Sequence, residues 1–449
     1  MSLTVVILAA GKGTRMKSNL PKVLHRVNGN TMLDCVVTSV KNAGVEKVIL
    51  IVGHGADAVR QEMGEDFSYV YQREQLGTGH AVMVSTEELQ RHDGDVLLVC
   101  GDTPLLTPET LQSLYQQHKA SFAACTILTA KLEYPSGYGR IVRSQEGNVL
   151  KIVEEKDATP DVRLINEINT GSYCFIISDL LEAVKKLTPA NAQGEYYLTD
   201  VIATFNNEGK TVSAFITPNF NETLGINSKA QLAEASAILR MKKMQQLMDE
   251  GVTIIDPQNT YIEQQVTISP DVVIYPMCFI SGSTSIAEET IIGAGCKIND
   301  SLIGAACDIQ SSVLNGAKIG NACIIGPFAY LRPGAILEDN VKVGDFAEIK
   351  NSLIGEGSKI PHLSYVGDAT LGRGVNIGAG TITCNYDGVN KFRTEIGDGA
   401  FIGSNTNLVA PVKIGAKAVT GAGSTITKDV PDGALAVERA LQKIRNNYR

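Results

Sequence analysis

Three groups of residues in this chain have types and spacings that can do chemistry. The first is the run Leu8-Ala9-Ala10-Gly11-Lys12-Gly13-Thr14-Arg15-Met16, followed by Pro21-Lys22. Glycines at a turn let backbone N–H groups approach a phosphate, and Arg15 and Lys22 add charge. The run is not a Walker A loop, and Met16 stands where a dinucleotide fingerprint has its third glycine. The plainer alternative is a tight strand-to-helix connection with two exposed cations. The second group is Gly101-Asp102-Thr103-Pro104-Leu105, a carboxylate just past an apolar run. One Asp there can hold Mg²⁺, which takes few protein ligands and shares the rest with phosphates and water. Otherwise Asp102 is a turn or cap residue before a helix at Glu109. The third is His362, the only one of six histidines beyond residue 118. An imidazole suits proton removal from an amine or hydroxyl, unless this one is an exposed loop residue.

These residues need elements to position them. Apolar runs from Val5 to Leu8, Lys47 to Val52 and Val96 to Cys100 each end in a glycine-bearing turn, with helical patterns around Met32 to Lys41 and Glu109 to His118. The alternation predicts an α/β domain with a mostly parallel sheet, whose strand carboxyl ends carry ligands. Residues 228–248 lack Gly and Pro, and Leu232, Ala235, Ile238 and Leu239 share one helical face. From about residue 266 aliphatic residues recur every six positions. Ile268, Ile274, Ile280, Ile286, Ile292 and Ile298 form one series; Ile319, Ile325, Leu331, Leu337, Val343 and Ile349 a second; Ile396, Ile402, Leu408 and Ile414 a third. A beat of six is the signature of a parallel β-helix, here of roughly nine coils at about 18 residues each. Aliphatic-Gly pairs such as Val343-Gly344 and Ile402-Gly403 suit a tight corner without Cβ. The expected division is 1–227, a linker helix over 228–250, and 251–449.

At 449 residues the chain should form two or three domains. A net charge of -8 argues against a general nucleic-acid surface. No apolar run reaches the length of a membrane span, and the stretch Met1-Ser2-Leu3-Thr4-Val5-Val6 does not read as a signal peptide. Nine cysteines without a Cys-x-x-Cys pair read as reduced thiols. The expectation is a cytoplasmic protein acting on small molecules, with no nucleic-acid or membrane partner.

Leu-x-x-Gly-x-Gly-Thr-Arg-Met with Pro21-Lys22 is similar to the signature of sugar-phosphate nucleotidylyltransferases. Gln75-Leu76-Gly77-Thr78-Gly79-His80, Gly137-Tyr138-Gly139-Arg140, Ala192-Gln193-Gly194-Glu195-Tyr196-Tyr197 and Gly378-Ala379-Gly380-Thr381-Ile382-Thr383 extend the likeness. As a whole the chain resembles the family of bifunctional N-acetylglucosamine-1-phosphate uridylyltransferase/glucosamine-1-phosphate N-acetyltransferases. The resemblance implies an α/β Rossmann-like nucleotidyltransferase domain followed by a left-handed parallel β-helix; the hand comes from the resemblance alone. It implies Mg²⁺, with acetyl-CoA and UTP as cosubstrates, a homotrimer, and a product used for cell wall and lipopolysaccharide. Leu8, Ala9, Ala10 and Gly11, with Gln72, Gly77 and Thr78, would hold UTP. Arg15 and Lys22 would neutralise phosphates, Gly139, Glu154 and Asn169 would bind the sugar phosphate, and Asp102 and Asn227 would bind Mg²⁺. Read alone, Glu154 belongs to a solvated charge run and Asn227 to a helix cap.

In the second half the resemblance makes His362 the base for the attacking amine, with Glu348 orienting the imidazole. Arg332, Lys350, Tyr365, Asn376 and Lys391 would grip glucosamine-1-phosphate. Ala379, Asn385, Tyr386, Ser404, Ala422 and Arg439 would line the acetyl-CoA site, Ser404 as an oxyanion donor. Two departures stand out: Glu438 beside Arg439, and Ile360-Pro361 before His362, where family members have small residues. Two other readings share the layout. One is a monofunctional nucleotidylyltransferase with a structural β-helix, disfavoured by His362, Lys391 and the Asn385-Tyr386 loop. The other is a scaffold subunit, disfavoured by Arg15, Lys22, Asp102 and Asn227 together.

Overall fold

A computed structural model describes residues 3–448, so Met1, Ser2 and Arg449 lie outside the described residues. The chain forms two units, Met1–Ala237 and Ile238–Arg449. The first is built on a sheet whose strands run in the order Val212–Ile216, Cys125–Lys131, Glu167–Ile176, Asp95–Cys100, Leu3–Ala9, Lys47–Val52, Ser68–Tyr71. All are parallel except Glu167–Ile176, which runs against both neighbours. Val5, Val6 and Ile7 are buried in succession, because helices cover both faces of such a sheet. Leu8 is level with Ile51 on one side and Cys100 on the other. The turns after these strands, at Gly11, Gly53 and Asp102, therefore open on one edge, as expected of a ligand edge.

A helix spans Lys229–Asp249. The division of the two units falls inside it, and Met244 and Leu247 are buried in the core of the second unit. Gly251 ends it with a φ of 97°, its N–H donating to the Met248 carbonyl at 3.1 Å.

Three parallel sheets of eleven, ten and nine strands form the walls of the second unit, which is about ten coils where the beat of six suggested about nine. Every aliphatic residue of the three series is buried in one continuous core. Leu331 has no exposure, and its truncation to Ala removes two methyls and the Cγ from a packed stack. We expect Leu331→Ala to cost about 2–5 kcal/mol in chemical unfolding of this unit. The glycine after the inward aliphatic is needed for a reason the pattern did not reveal. Its φ is ordinary, but a Cβ on Gly344 would lie 1.9 Å from the Pro361 carbonyl of the next coil. The left-handed corners fall instead on residues such as Met277, Phe328 and Phe346.

Strand partners in successive coils are 18 residues apart at Ile274 and Ile292, 17 at Glu348 and Tyr365, and 25 at Leu371 and Ile396. The last jump is the loop after Cys384. The offset also shrinks to 16 between Ile303 and Ile319, where no candidate site residue lies. All nine cysteines are free. No helix among the described residues is long and apolar enough to cross a membrane.

Candidate active sites

At the carboxyl edge of the first sheet lies a cavity of about 290 Å³, lined by Leu8, Ala9, Ala10, Gly11, Lys22, Gln72, Gly77, Thr78 and Asp102 among the expected residues. A Cβ built on Gly11 meets only open space, so a ligand can approach this backbone. Gly77 is required by geometry. Its φ is 108°, and a Cβ there would lie 2.6 Å from the Tyr196 carbonyl. The buried Gln72 amide holds the same loop by donating to the Gly77 carbonyl at 3.1 Å.

Lys22 sits between Asp102 and Asn227. Its ammonium donates to Asp102 Oδ2 and, at 2.6 Å, to Asn227 Oδ1. The strand ending at Cys100 carries Asp102, and the Ile226 N–H donates to the Asp102 carbonyl at 2.9 Å, which brings Asn227 alongside. Neither residue is the cap that its local sequence allowed. Thr107 caps the helix after Asp102, and the Ser228 hydroxyl accepts from Gln231 N–H at 3.2 Å at the start of the helix after Asn227.

Gly139, Glu154, Asn169, Asn227 and Arg15 do not line this cavity. The first three form their own cluster. Asn169 N–H donates to the Gly139 carbonyl at 2.9 Å, and a Cβ on Gly139 would stand 3.4 Å from both Glu154 carboxylate oxygens. Glu154 is not part of a solvated charge run: burial pushes its carboxyl up, partly offset by a hydrogen bond from Thr199. Arg15 is exposed on the short turn Thr14–Met16 and forms no ion pair among the described residues.

The cavity also has walls that the residue patterns did not single out: Gln75, Cys100 and Glu195. Gln75 and Glu195 stand inside quoted motifs, and that was the available signal. Nothing in the sequence marked Cys100, since its position is set by the strand register. Burial, with Asp102 adding in the same direction, pushes its thiol up to about 12, so it is a neutral wall and not a nucleophile at neutral pH.

In the β-helix, His362 ends the strand Lys359–His362 and lies level with Asp345 of the preceding coil. His362 Nδ1 is 2.7 Å from Asp345 Oδ1. This corrects the expectation that Glu348 orients the imidazole. Glu348 lies on the next face of the coil, level with Tyr365, and its carboxylate accepts from Arg332 at 2.8 Å. The hydrogen bond from His362 holds the Asp345 carboxyl below its ordinary range, so it is ionised near neutrality and can only accept. His362 Nδ1 is therefore the donor, and in the neutral imidazole the lone pair is then on Nε2. An Asp345→Asn amide can donate in turn and stabilise the wrong tautomer. We expect Asp345→Asn to slow proton removal by His362 on the order of 10²-fold, read from the rate of the reaction that this imidazole serves.

The other expected residues fall into two sets. Leu363 N–H donates to the Asp345 carbonyl, Gly380 N–H to Leu363, Asn405 N–H to Ala379 and Gly423 N–H to Ser404. Arg439 Cδ would be 3.8 Å from a Cβ on Gly423. His362, Ala379, Ser404, Ala422 and Arg439 thus occupy one corner column through successive coils. The second set lies around the ten-stranded face. Arg332 is beside Lys350, and Lys350 is level with Gly367. Asp368, buried beside them, accepts from Asn351 at 2.6 Å and from Asn385. Burial works against its carboxylate, but these amides and the charges of Lys350 and Lys391 together hold it below its ordinary range. Asn385 therefore ties its loop to the coil instead of pointing freely outward, while Tyr386 is exposed and bridges to Lys391. Asn376 lies on the eleven-stranded face, level with Lys359, and not on the face that carries Tyr365.

Comparison with known proteins is consistent along the whole chain. The MobA-like NTP transferase domain family matches residues 5–204, and the bacterial transferase hexapeptide (six repeats) family matches residues 316–351 and 393–428. The Bifunctional protein GlmU of Heliobacterium modesticaldum is 55% identical over 445 residues, covering 99% of this chain and 97% of that protein. The protein of the same name from Exiguobacterium sibiricum is 50% identical over 449 residues, covering 100% of both. The chain belongs to the bifunctional GlmU family. The GlmU protein of Desulfitobacterium hafniense strain DCB-2, 53% identical over 99% of this chain and 97% of its own, agrees. As a GlmU-family member the chain is a bifunctional enzyme, with a nucleotidyltransferase domain followed by a hexapeptide acetyltransferase-type domain. The monofunctional and scaffold readings of the sequence are set aside.

Proposed function

We propose that the β-helix unit transfers acetyl from acetyl-CoA to glucosamine-1-phosphate, and that the first unit then transfers uridylyl from UTP to N-acetylglucosamine-1-phosphate, releasing pyrophosphate. The observation that carries this reading is the presence in one chain of a glycine-walled cavity bearing Lys22 and Asp102 and of a His362–Asp345 pair with a free Nε2. In the second unit, Nε2 takes the proton from the attacking 2-amino group as nitrogen forms the amide bond and the thiolate of CoA leaves. Arg332, Lys350, Tyr365 and Lys391 supply charge and hydrogen bonds for the sugar phosphate. Asn376 lies on a different face of its own coil, which supports sites completed between neighbouring copies, and with them a homotrimer.

In the first unit the nucleophile is a phosphate already ionised at neutral pH, so no general base is needed. The residues bring two anions together and stabilise charge on the α-phosphate, which is a task of positioning and electrostatics. Gly11, Gln72, Gly77 and Thr78 form the nucleotide wall, Glu154 and Asn169 serve the sugar, and Lys22 and Arg15 neutralise phosphate charge. Asp102 Oδ2 and Asn227 Oδ1 converge on one point and are hard oxygen donors, which fits Mg²⁺. Bound there with the triphosphate, the ion would neutralise developing phosphate charge. No group of three or more His, Cys, Asp or Glu among the described residues is arranged to hold a metal, so phosphate and water oxygens would complete its shell.

The product, a sugar nucleotide for cell-wall and lipopolysaccharide building, fits a cytoplasmic site of action. The test is direct. Given glucosamine-1-phosphate and acetyl-CoA the unmodified protein releases free thiol, and pyrophosphate appears when UTP is added. Pyrophosphate release from supplied N-acetylglucosamine-1-phosphate without any thiol release from acetyl-CoA would overturn the acetyltransferase half.

A further inference from the structure

Lys22 makes two contacts that bear on how the first site loads. Its ammonium donates to Asp102 Oδ2 and Asn227 Oδ1, the same two oxygens that would hold a divalent cation. Both are side-chain oxygens, and the Lys22 side chain is largely buried, at 11% exposure. One oxygen lone pair cannot serve an ammonium hydrogen and a metal ion at full strength, and two cations a few ångströms apart repel strongly. A metal ion entering between Asp102 and Asn227 must therefore displace the Lys22 ammonium. Lys22 is also on the wall of the nucleotide cavity, so a triphosphate offers it a new anionic partner.

We propose that Lys22 is a resident counter-ion that keeps the divalent cation weakly bound until nucleotide arrives. The nucleotide draws the ammonium away and supplies the oxygens that the two protein ligands lack, so nucleotide and metal bind cooperatively through Lys22. Because coupling is reciprocal, the metal raises nucleotide affinity by the same factor. The inference rests on the assignment of Asp102 and Asn227 as metal ligands.

Mn²⁺ binding to the full chain, followed by its electron paramagnetic resonance signal without sugar phosphate, tests this without any turnover. Lys22→Met removes the charge at similar volume. Without UTP it should bind Mn²⁺ roughly tenfold tighter than the unmodified protein, and UTP should strengthen its Mn²⁺ binding far less than it does in the unmodified chain. Lys22→Gln, which keeps an N–H donor group without charge, should bind Mn²⁺ between the two and serves if the Met variant fails to fold. Equal or weaker Mn²⁺ binding by the folded variant, with UTP still strengthening it in the unmodified chain, would overturn the role of Lys22 and leave the ligand assignment standing. Equal Mn²⁺ binding by Asp102→Asn and the unmodified chain with UTP would overturn the ligand assignment, and the coupling with it.

Discussion

Replacing His362 with Ala is expected to reduce acetyl transfer by about 10²- to 10⁴-fold, the usual contribution of a positioned general base, while uridylyl transfer from supplied N-acetylglucosamine-1-phosphate continues at its ordinary rate. An amine attacks a thioester well only once its proton has somewhere to go. Nε2 is the free nitrogen of an imidazole whose other nitrogen is committed to Asp345 at 2.7 Å. No other histidine exists in the second half of the chain to replace it. The loss should lie in kcat more than in KM, because the imidazole takes a proton and does not grip the phosphate. Free-thiol release with saturating acetyl-CoA measures it. Retained acetyl transfer by His362→Ala would remove His362 from the reaction.

Asp102→Asn is expected to do the reverse. It should lower uridylyl transfer by at least about 10²- to 10³-fold, comparable to removing a preorganised electrostatic group, and leave thiol release from acetyl-CoA unchanged. The change keeps the shape and one oxygen but removes the carboxylate on the cavity wall that accepts from Lys22. Cys100 cannot compensate, since burial keeps its thiol protonated at neutral pH. Pyrophosphate release across a range of Mg²⁺ concentrations checks this. If high Mg²⁺ fully restores the rate, the carboxylate contributes metal affinity alone and has no further part in positioning.

What was legible from the sequence followed local periodicity and strand-end position. The beat of six named the inward residues one by one, from Ile268 to Ile414, because each short strand turns the same position inward. The apolar runs marked the strands that end at the Gly11 and Asp102 turns. What was not legible depends on register between distant segments. Asp345 is 17 residues from His362, one coil below it, and only the coil length set in that stretch makes it the partner instead of Glu348. Cys100 and Asn227 reach their neighbours through strand pairing and a backbone hydrogen bond to Asp102. An irregular coil length does not by itself mark the site, since the contraction between Ile303 and Ile319 accompanies no candidate residue.

The corner column from His362 through Ala379, Ser404 and Ala422 to Arg439 is also a measure of length. Its first three rungs are backbone hydrogen bonds between coils, and parallel strands sit about 4.8 Å apart, so four steps span about 19 Å. A molecule lying along it must be long, thin and extended, with its reactive group at one end. Selection by extent in this way owes little to any single side chain. Excising one whole coil between Ser404 and Ala422 would leave the inward packing pattern intact and still misplace the far end of such a ligand by a full step.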